Sequence, residues 1–140
     1  MDFLTLLTLI LLQTTQMQTG QSELQVTGTK VLFFGPTQAE RDSVIRTEGI
    51  EAGAAFDDFD YYTAKATAYL KGRRIPAEFT TRTSILVRIG EHGIRKIDRK
   101  KIPDFIGVIL TDGVQEPRLI QGIATDEELI GEINDFFRLK

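Results

Sequence analysis

Asp57, Asp58 and Asp60 crowd three carboxylates into a few residues. Such a set suits two kinds of chemistry: a hard cation held by oxygen ligands, or an acid and a base working as neighbours. Glu91 could serve as a further proton carrier. The spacing, however, is not that of an EF-hand calcium loop. Aspartate is also favoured at the start of a helix by capping and by the helix dipole, which is its commoner use. His92 is the only histidine and sits between Glu91 and Gly93, so a Ser-His-Asp triad would need it as the base. Ser22, Ser43 and Ser84 do not stand in a G-x-S-x-G elbow. With no cysteine in the chain, thiol nucleophiles, dithiol redox chemistry and thiolate metal sites are excluded. No cofactor and no metal is expected.

Two other stretches bear on binding. Arg95, Lys96, Arg99, Lys100 and Lys101 face a single acid, Asp98, between them. On an otherwise acidic protein they would attract an acidic protein or another anionic partner, although a solvated face is the more common role of such a run. The second is "KVLFFGPTQAER", Lys30 to Arg41, where a strand hands over to a helix through Gly35-Pro36-Thr37. Free amides at a helix start can hold an anion. The loop lacks the lysine and glycine pattern of a phosphate loop, and Glu40 would repel an anion, so a capped helix start is the simpler reading. Tyr61, Tyr62 and Tyr69 could offer a stacking surface, but Tyr62 and Tyr69 share a helix face and read first as core.

The elements that must position these residues follow from periodicity and capping. Val31 to Phe34 is a continuous apolar run, as expected of a strand buried on both faces. Thr37 to Glu40 is a capping box, and the helix it opens runs through Arg46 toward Gly49. A second helix is expected from Asp57 or Asp58 to Lys71, with Phe59, Tyr62, Ala66, Tyr69 and Leu70 on its apolar face. Thr83 to Ile89 is a strand and Gly90 to Gly93 a turn. Ile94 and Ile97, three apart, favour a short helix through the cationic run, with a hairpin as the alternative. "DFIGVIL" after Pro103 is a strand, and Arg118 to Ile123 returns antiparallel to it. Thr125 to Glu128 is a second capping box, opening a last helix with Leu129, Ile133, Phe136 and Phe137 as its stripe.

The 140 residues carry 17 basic and 20 acidic side chains, a net charge of −3, which argues against general nucleic-acid binding. Phe3 to Leu12 is an apolar run, short for a membrane span and suited to the core of a secretory signal. Its flank, Met1-Asp2, has no basic residue, and no A-x-A site follows. The expected organisation is a signal peptide over 1–20, a polar linker or extended segment over 21–29, and a single domain over 30–140. An uncleaved membrane anchor at 3–12 and a segment belonging to the fold are the alternatives. Membrane contact is expected only if that segment is retained.

The order strand, split helix, strand, short helix, strand, strand, helix resembles the thioredoxin-like superfamily. "KIPDFIGVILTDG" followed by "PRLIQGIATDEELIGEINDFF" carries most of the likeness. The resemblance implies an α/β fold, a sheet of about four strands flanked by helices; α+β with two hairpins is the alternative. It would place Pro103 where the family has its cis-proline, and Gly35-Pro36-Thr37-Gln38 near the redox loop. The redox cysteines are missing, and 49–57 reads as an insertion. Together with the signal-like run at 3–12, the expectation is a periplasmic or secreted, non-catalytic binding or structural protein. It would bind through the basic run and through the cleft between Gly35-Pro36-Thr37 and Pro103. The alternatives are a carboxylate enzyme and a membrane-anchored adaptor.

Overall fold

The computed structural model describes residues 23–139; the apolar run at 3–12 and the expected cut near Gly20 lie outside them. The architecture is mixed α/β, with two sheets and three helices among the described residues. Strand β2 (Lys30–Phe34) is the hub of the larger sheet. It runs parallel to β3 (Ala77–Thr80), with Val31 opposite Ala77. On its other side it pairs antiparallel with β6 (Gly107–Thr111), with Leu32 opposite Ile109. Strand β7 (Arg118–Gln121) returns antiparallel along β6, giving the order β3-β2-β6-β7.

Between β2 and β3 the chain climbs through helix α1 (Gln38–Glu48) and helix α2 (Ile50–Gly72). The Thr37 capping box is formed in both directions: its hydroxyl accepts from the Glu40 amide at 3.1 Å, and the Glu40 carboxylate accepts from the Thr37 amide at 2.8 Å. Gly49 separates the two helices at φ 99°, a conformation that a side chain would resist. Helix α2 therefore begins at Ile50, not at Asp57 or Asp58. The stretch read as an insertion is its first two turns, where Ala52, Ala54 and Ala55 have strong helix propensity. Helix α3 (Asp126–Phe137) closes the chain; Thr125 accepts from the Glu128 amide at 3.2 Å, the forward bond of its box.

The continuous apolar strands are explained by a three-layer stack. Val31, Phe33, Val108 and Leu110 point to α2 and α3, meeting Ala66, Leu70, Leu129, Ile133 and Phe136. Leu32, Phe34 and Ile109 point the other way, to Val26, Ile85, Val87 and Ile102. That second cover is a sheet: β1 (Glu23–Val26), β4 (Ser84–Ile89) and β5 (Gly93–Asp98), ordered β1-β4-β5. A third apolar cluster joins Phe56, Phe59 and Ile106 to Val44 and Ile45 of α1.

One expectation is corrected here, and two that the sequence left open are resolved. Glu23 to Val26, read as part of a linker or extended segment, is a strand hydrogen-bonded in parallel to β4, because it places Leu24 and Val26 over the inner cluster. The short helix expected through Arg95 to Lys101 is instead the hairpin alternative: β5 pairs antiparallel with β4 across the turn at Gly90, and only Arg99–Lys101 winds into one 3-10 turn. Ladder pairing with β4 outweighs the local i,i+3 pattern, which is why Ile97 packs inward while Ile94 stays exposed. Finally, the Ile102–Pro103 peptide is trans, like every other among the described residues. Pro103 opens a 3-10 turn, Pro103–Phe105, where its fixed φ suits the first position, and β6 starts only at Gly107. None of the helices among the described residues is long and apolar enough to cross a membrane.

Candidate functional site

Arg99 connects the two stretches that the sequence marks for binding. The 3-10 turn after β5 carries it inward, where only 2% of it is exposed. Its Nε donates to the Arg82 carbonyl at 3.2 Å, and its backbone amide donates to the Thr83 carbonyl at 2.8 Å. Its Nη1 lies 3.0 Å from Glu40 Oε1, an ion pair without the alignment of a linear hydrogen bond. The guanidinium stands 5.4 Å from the Phe105 ring centre, within cation–π range. Arg99 is thus an internal tie between α1, the loop before β4 and the Pro103–Phe105 turn. It takes no part in a basic surface, because its partners are all within the fold.

The Glu40 carboxyl feels opposed effects. Burial pushes its pKa up, but the Thr37 amide and the Arg99 guanidinium together outweigh burial and hold it below the ordinary carboxylate range. Gly35 and Pro36 are buried, so the surface at this corner comes from Thr37, whose hydroxyl is engaged in the cap. Pro103 is exposed on the neighbouring turn.

That turn is unusual in its backbone. Asp104 and Phe105 are consecutive non-glycine residues at positive φ, 57° and 59°. Left-handed residues other than glycine carry a conformational cost that persists only where the surroundings fix them. Here the Phe105 amide donates to the Ile102 carbonyl at 3.0 Å and Arg99 covers its ring. Beside the turn opens a groove of about 180 Å³. Val44 and Phe56 from α1 and α2 form one wall, Ile106 and Ile123 the other, with the carboxylates of Glu48 and Asp104 among its lining.

The remaining cations divide. Arg95 is held by Glu116 at 2.6 Å. Lys96, Lys100 and Lys101 are exposed and have no ion-pair partner among the described residues. Inward-facing Ile85 and Val87 fix the alternation of β4, so Leu86 and Arg88 point outward, opposite Lys96 and Ile94 of β5. Gln25, Leu86, Arg88 and Ile94 line a shallow dimple of about 40 Å³ on this open face. Arg88 and Ile94 are the contributors that sequence reading missed. Once the hairpin register is set by the Gly90 turn, both fall on the same face as Lys96, and no local pattern marks them.

The acidic set does not converge. Asp57, Asp58 and Asp60 lie within α2, past its first turn, so none of them caps it. Asp60 is clamped by Arg41 through two bonds of 2.8 and 2.7 Å, tying α1 to α2. Among the described residues no three acidic or histidine side chains gather as a metal site. His92 stands exposed in the turn, 3.8 Å from Glu91. Tyr62 and Tyr69 pack against the helical core, while Tyr61 is exposed. No family model, curated protein or solved structure matches the chain.

Proposed function

We propose that this chain is a non-catalytic binding protein of thioredoxin-like architecture that holds an acidic partner on the open face of the β1-β4-β5 sheet. The observation that carries the reading is the placement of Arg88 and Lys96 beside the outward apolar pair Leu86 and Ile94, with uncompensated Lys100 and Lys101 on the turn that follows. Apolar contacts flanked by unpaired cations combine desolvation energy with electrostatic steering, as a docking face for anionic groups requires. The strand order β3-β2-β6-β7, with a parallel helical crossover and a closing antiparallel hairpin and helix, supports the architecture implied by the resemblance. In this reading the outer sheet stands where the family would place a short helix. Export to the periplasm or the cell exterior rests on the apolar run at 3–12.

Immobilised poly-glutamate and vesicles of anionic lipid are the probes. The proposed face predicts salt-sensitive retention on poly-glutamate, lost in a variant combining Arg88→Glu, Lys96→Glu, Lys100→Glu and Lys101→Glu that keeps its circular dichroism. Undiminished retention of that variant at low salt would overturn the reading. So would wild-type binding to the vesicles alone, which would transfer the face to a membrane.

A further inference from the structure

A second site, of opposite charge preference, lies beside the Pro103–Phe105 turn. We propose that the groove between α1, α2 and the Pro103–Phe105 turn docks a short segment of a partner protein in which a large apolar residue stands next to a lysine or arginine. Three observations point to that occupant. The groove, about 180 Å³, has room for one large side chain, and its walls at Val44, Phe56, Ile106 and Ile123 are apolar. Ile123 at its lip is 40% exposed, so apolar surface is already offered to solvent there.

The rim supplies the charge preference. Glu48 and Asp104 both line the groove, both are exposed, and neither has an ion-pair partner among the described residues. The nearest cation in sequence to Glu48, Arg46, is two residues away on the same helix, and residues so spaced do not face each other; the nearest to Asp104, Lys101, makes no ion pair with it. Arg41 is committed to Asp60, and Arg99 to Glu40. A cationic side chain of a partner would therefore meet two free carboxylates, while an acidic one would be repelled.

The backbone gives the third observation. The wall that carries Asp104 is the turn whose residues 104 and 105 both lie at positive φ. Arg99 and the Ile102 carbonyl hold that turn in place, so the groove is shaped before any partner arrives. This site is separate from the open sheet face, and each can fail without the other.

The test uses labelled peptides of sequence Gly-Lys-Phe-Lys-Gly, Gly-Glu-Phe-Glu-Gly and Gly-Lys-Ser-Lys-Gly with blocked ends, measured by anisotropy. Amide shift mapping on the full chain locates the contact. The lysine-phenylalanine peptide should bind at least about tenfold tighter than either control, and Glu48→Lys should erase that preference. Its shifts should centre on Val44, Glu48, Phe56 and Asp104. Ile123→Glu, on an exposed loop, should weaken it by a similar factor while leaving the fold unchanged. Equal binding of the acidic peptide would overturn the inference. So would shifts centred on Leu86 and Ile94, or retention of full affinity in both variants. Self-association that the lysine-phenylalanine peptide competes away would also count against it, since the occupant would then be a second copy of this chain.

Discussion

At the scale of single residues the molecule is held by one buried cation. Arg99 satisfies the Arg82 carbonyl and faces Glu40, and Glu40 is at once the partner of Arg99 and half of the α1 capping box. Removing the carboxylate strands a guanidinium in the interior, whereas removing Thr37 loses only a cap. Thr37→Ala should therefore cost about 1 kcal/mol. Glu40→Gln should cost roughly 2 to 3 kcal/mol, less than breaking a wholly buried pair because the Glu40 side chain keeps 23% of its surface in water. The two effects also differ in pH dependence. The folded pKa of Glu40 lies below its ordinary value of 4.5, so its ionised form stabilises the fold above that value. The contribution falls away as the pH drops from 4.5 through the lower folded pKa. Urea denaturation at neutral pH and near pH 3 checks the sign: the gap between wild type and Glu40→Gln should narrow in acid, and the Thr37→Ala gap should change less. A Glu40→Gln penalty that is the same at both pH values would contradict this account.

At the scale of elements, what could be foreseen from sequence was whatever local chemistry decides. The capping box at Thr37, the stripe of α3 and the hairpin of β6 with β7 are each specified by residues within a few positions of one another. What could not be foreseen depended on remote partners. Glu23 to Val26 is a strand only because β4 is there to pair with it, and the start of the cationic run, Arg95 and Lys96, is strand for the same reason. The inward turn of Arg99 is invisible in a run of basic residues, since only the tertiary fold brings Glu40 and Phe105 to it. Gly107 shows the same dependence in packing: a Cβ there would collide with the Phe34 ring and lie 2.7 Å from the Ile120 carbonyl. Both neighbours are in the close-packed core or the ladder, so Gly107→Ala should destabilise by about 2 to 3 kcal/mol, as overpacking does. Chemical denaturation would measure it, and a neutral effect would mean that β2 and β7 yield easily. Asp104→Gly should act in the other direction. It relieves a left-handed aspartate at φ 57° and gains up to about 1 kcal/mol, offset in part by glycine's freedom when unfolded. The same change removes one groove carboxylate, so binding of the lysine-phenylalanine peptide should weaken as the midpoint of denaturation rises.

At the scale of the whole molecule the question is whether the two sheets are one folding unit or a core with a detachable cover. The inner cluster takes Leu32, Phe34 and Ile109 from the larger sheet and Val26, Ile85 and Val87 from the smaller one, so neither contributing face is buried without the other. Arg99 adds a polar tie across the same boundary. A three-stranded sheet that loses the cover of its one apolar face has little to keep it folded in water. The larger sheet, stripped of its cover, would expose residues that are now wholly buried. Loss of either layer therefore removes most of the driving force for the other, and unfolding should be a single cooperative transition. The chain has no tryptophan and three tyrosines, of which Tyr62 and Tyr69 pack against the helical side of the larger sheet. Tyrosine fluorescence consequently reports the helical layer, while amide exchange in β4 reports the cover. Coincident urea midpoints for the two probes are expected, and Ile85→Ala, a cavity on the cover side, should lower both together by about 2 to 4 kcal/mol. Loss of β4 protection at a lower urea concentration than the tyrosine signal would instead identify the three-stranded sheet as a separately melting layer.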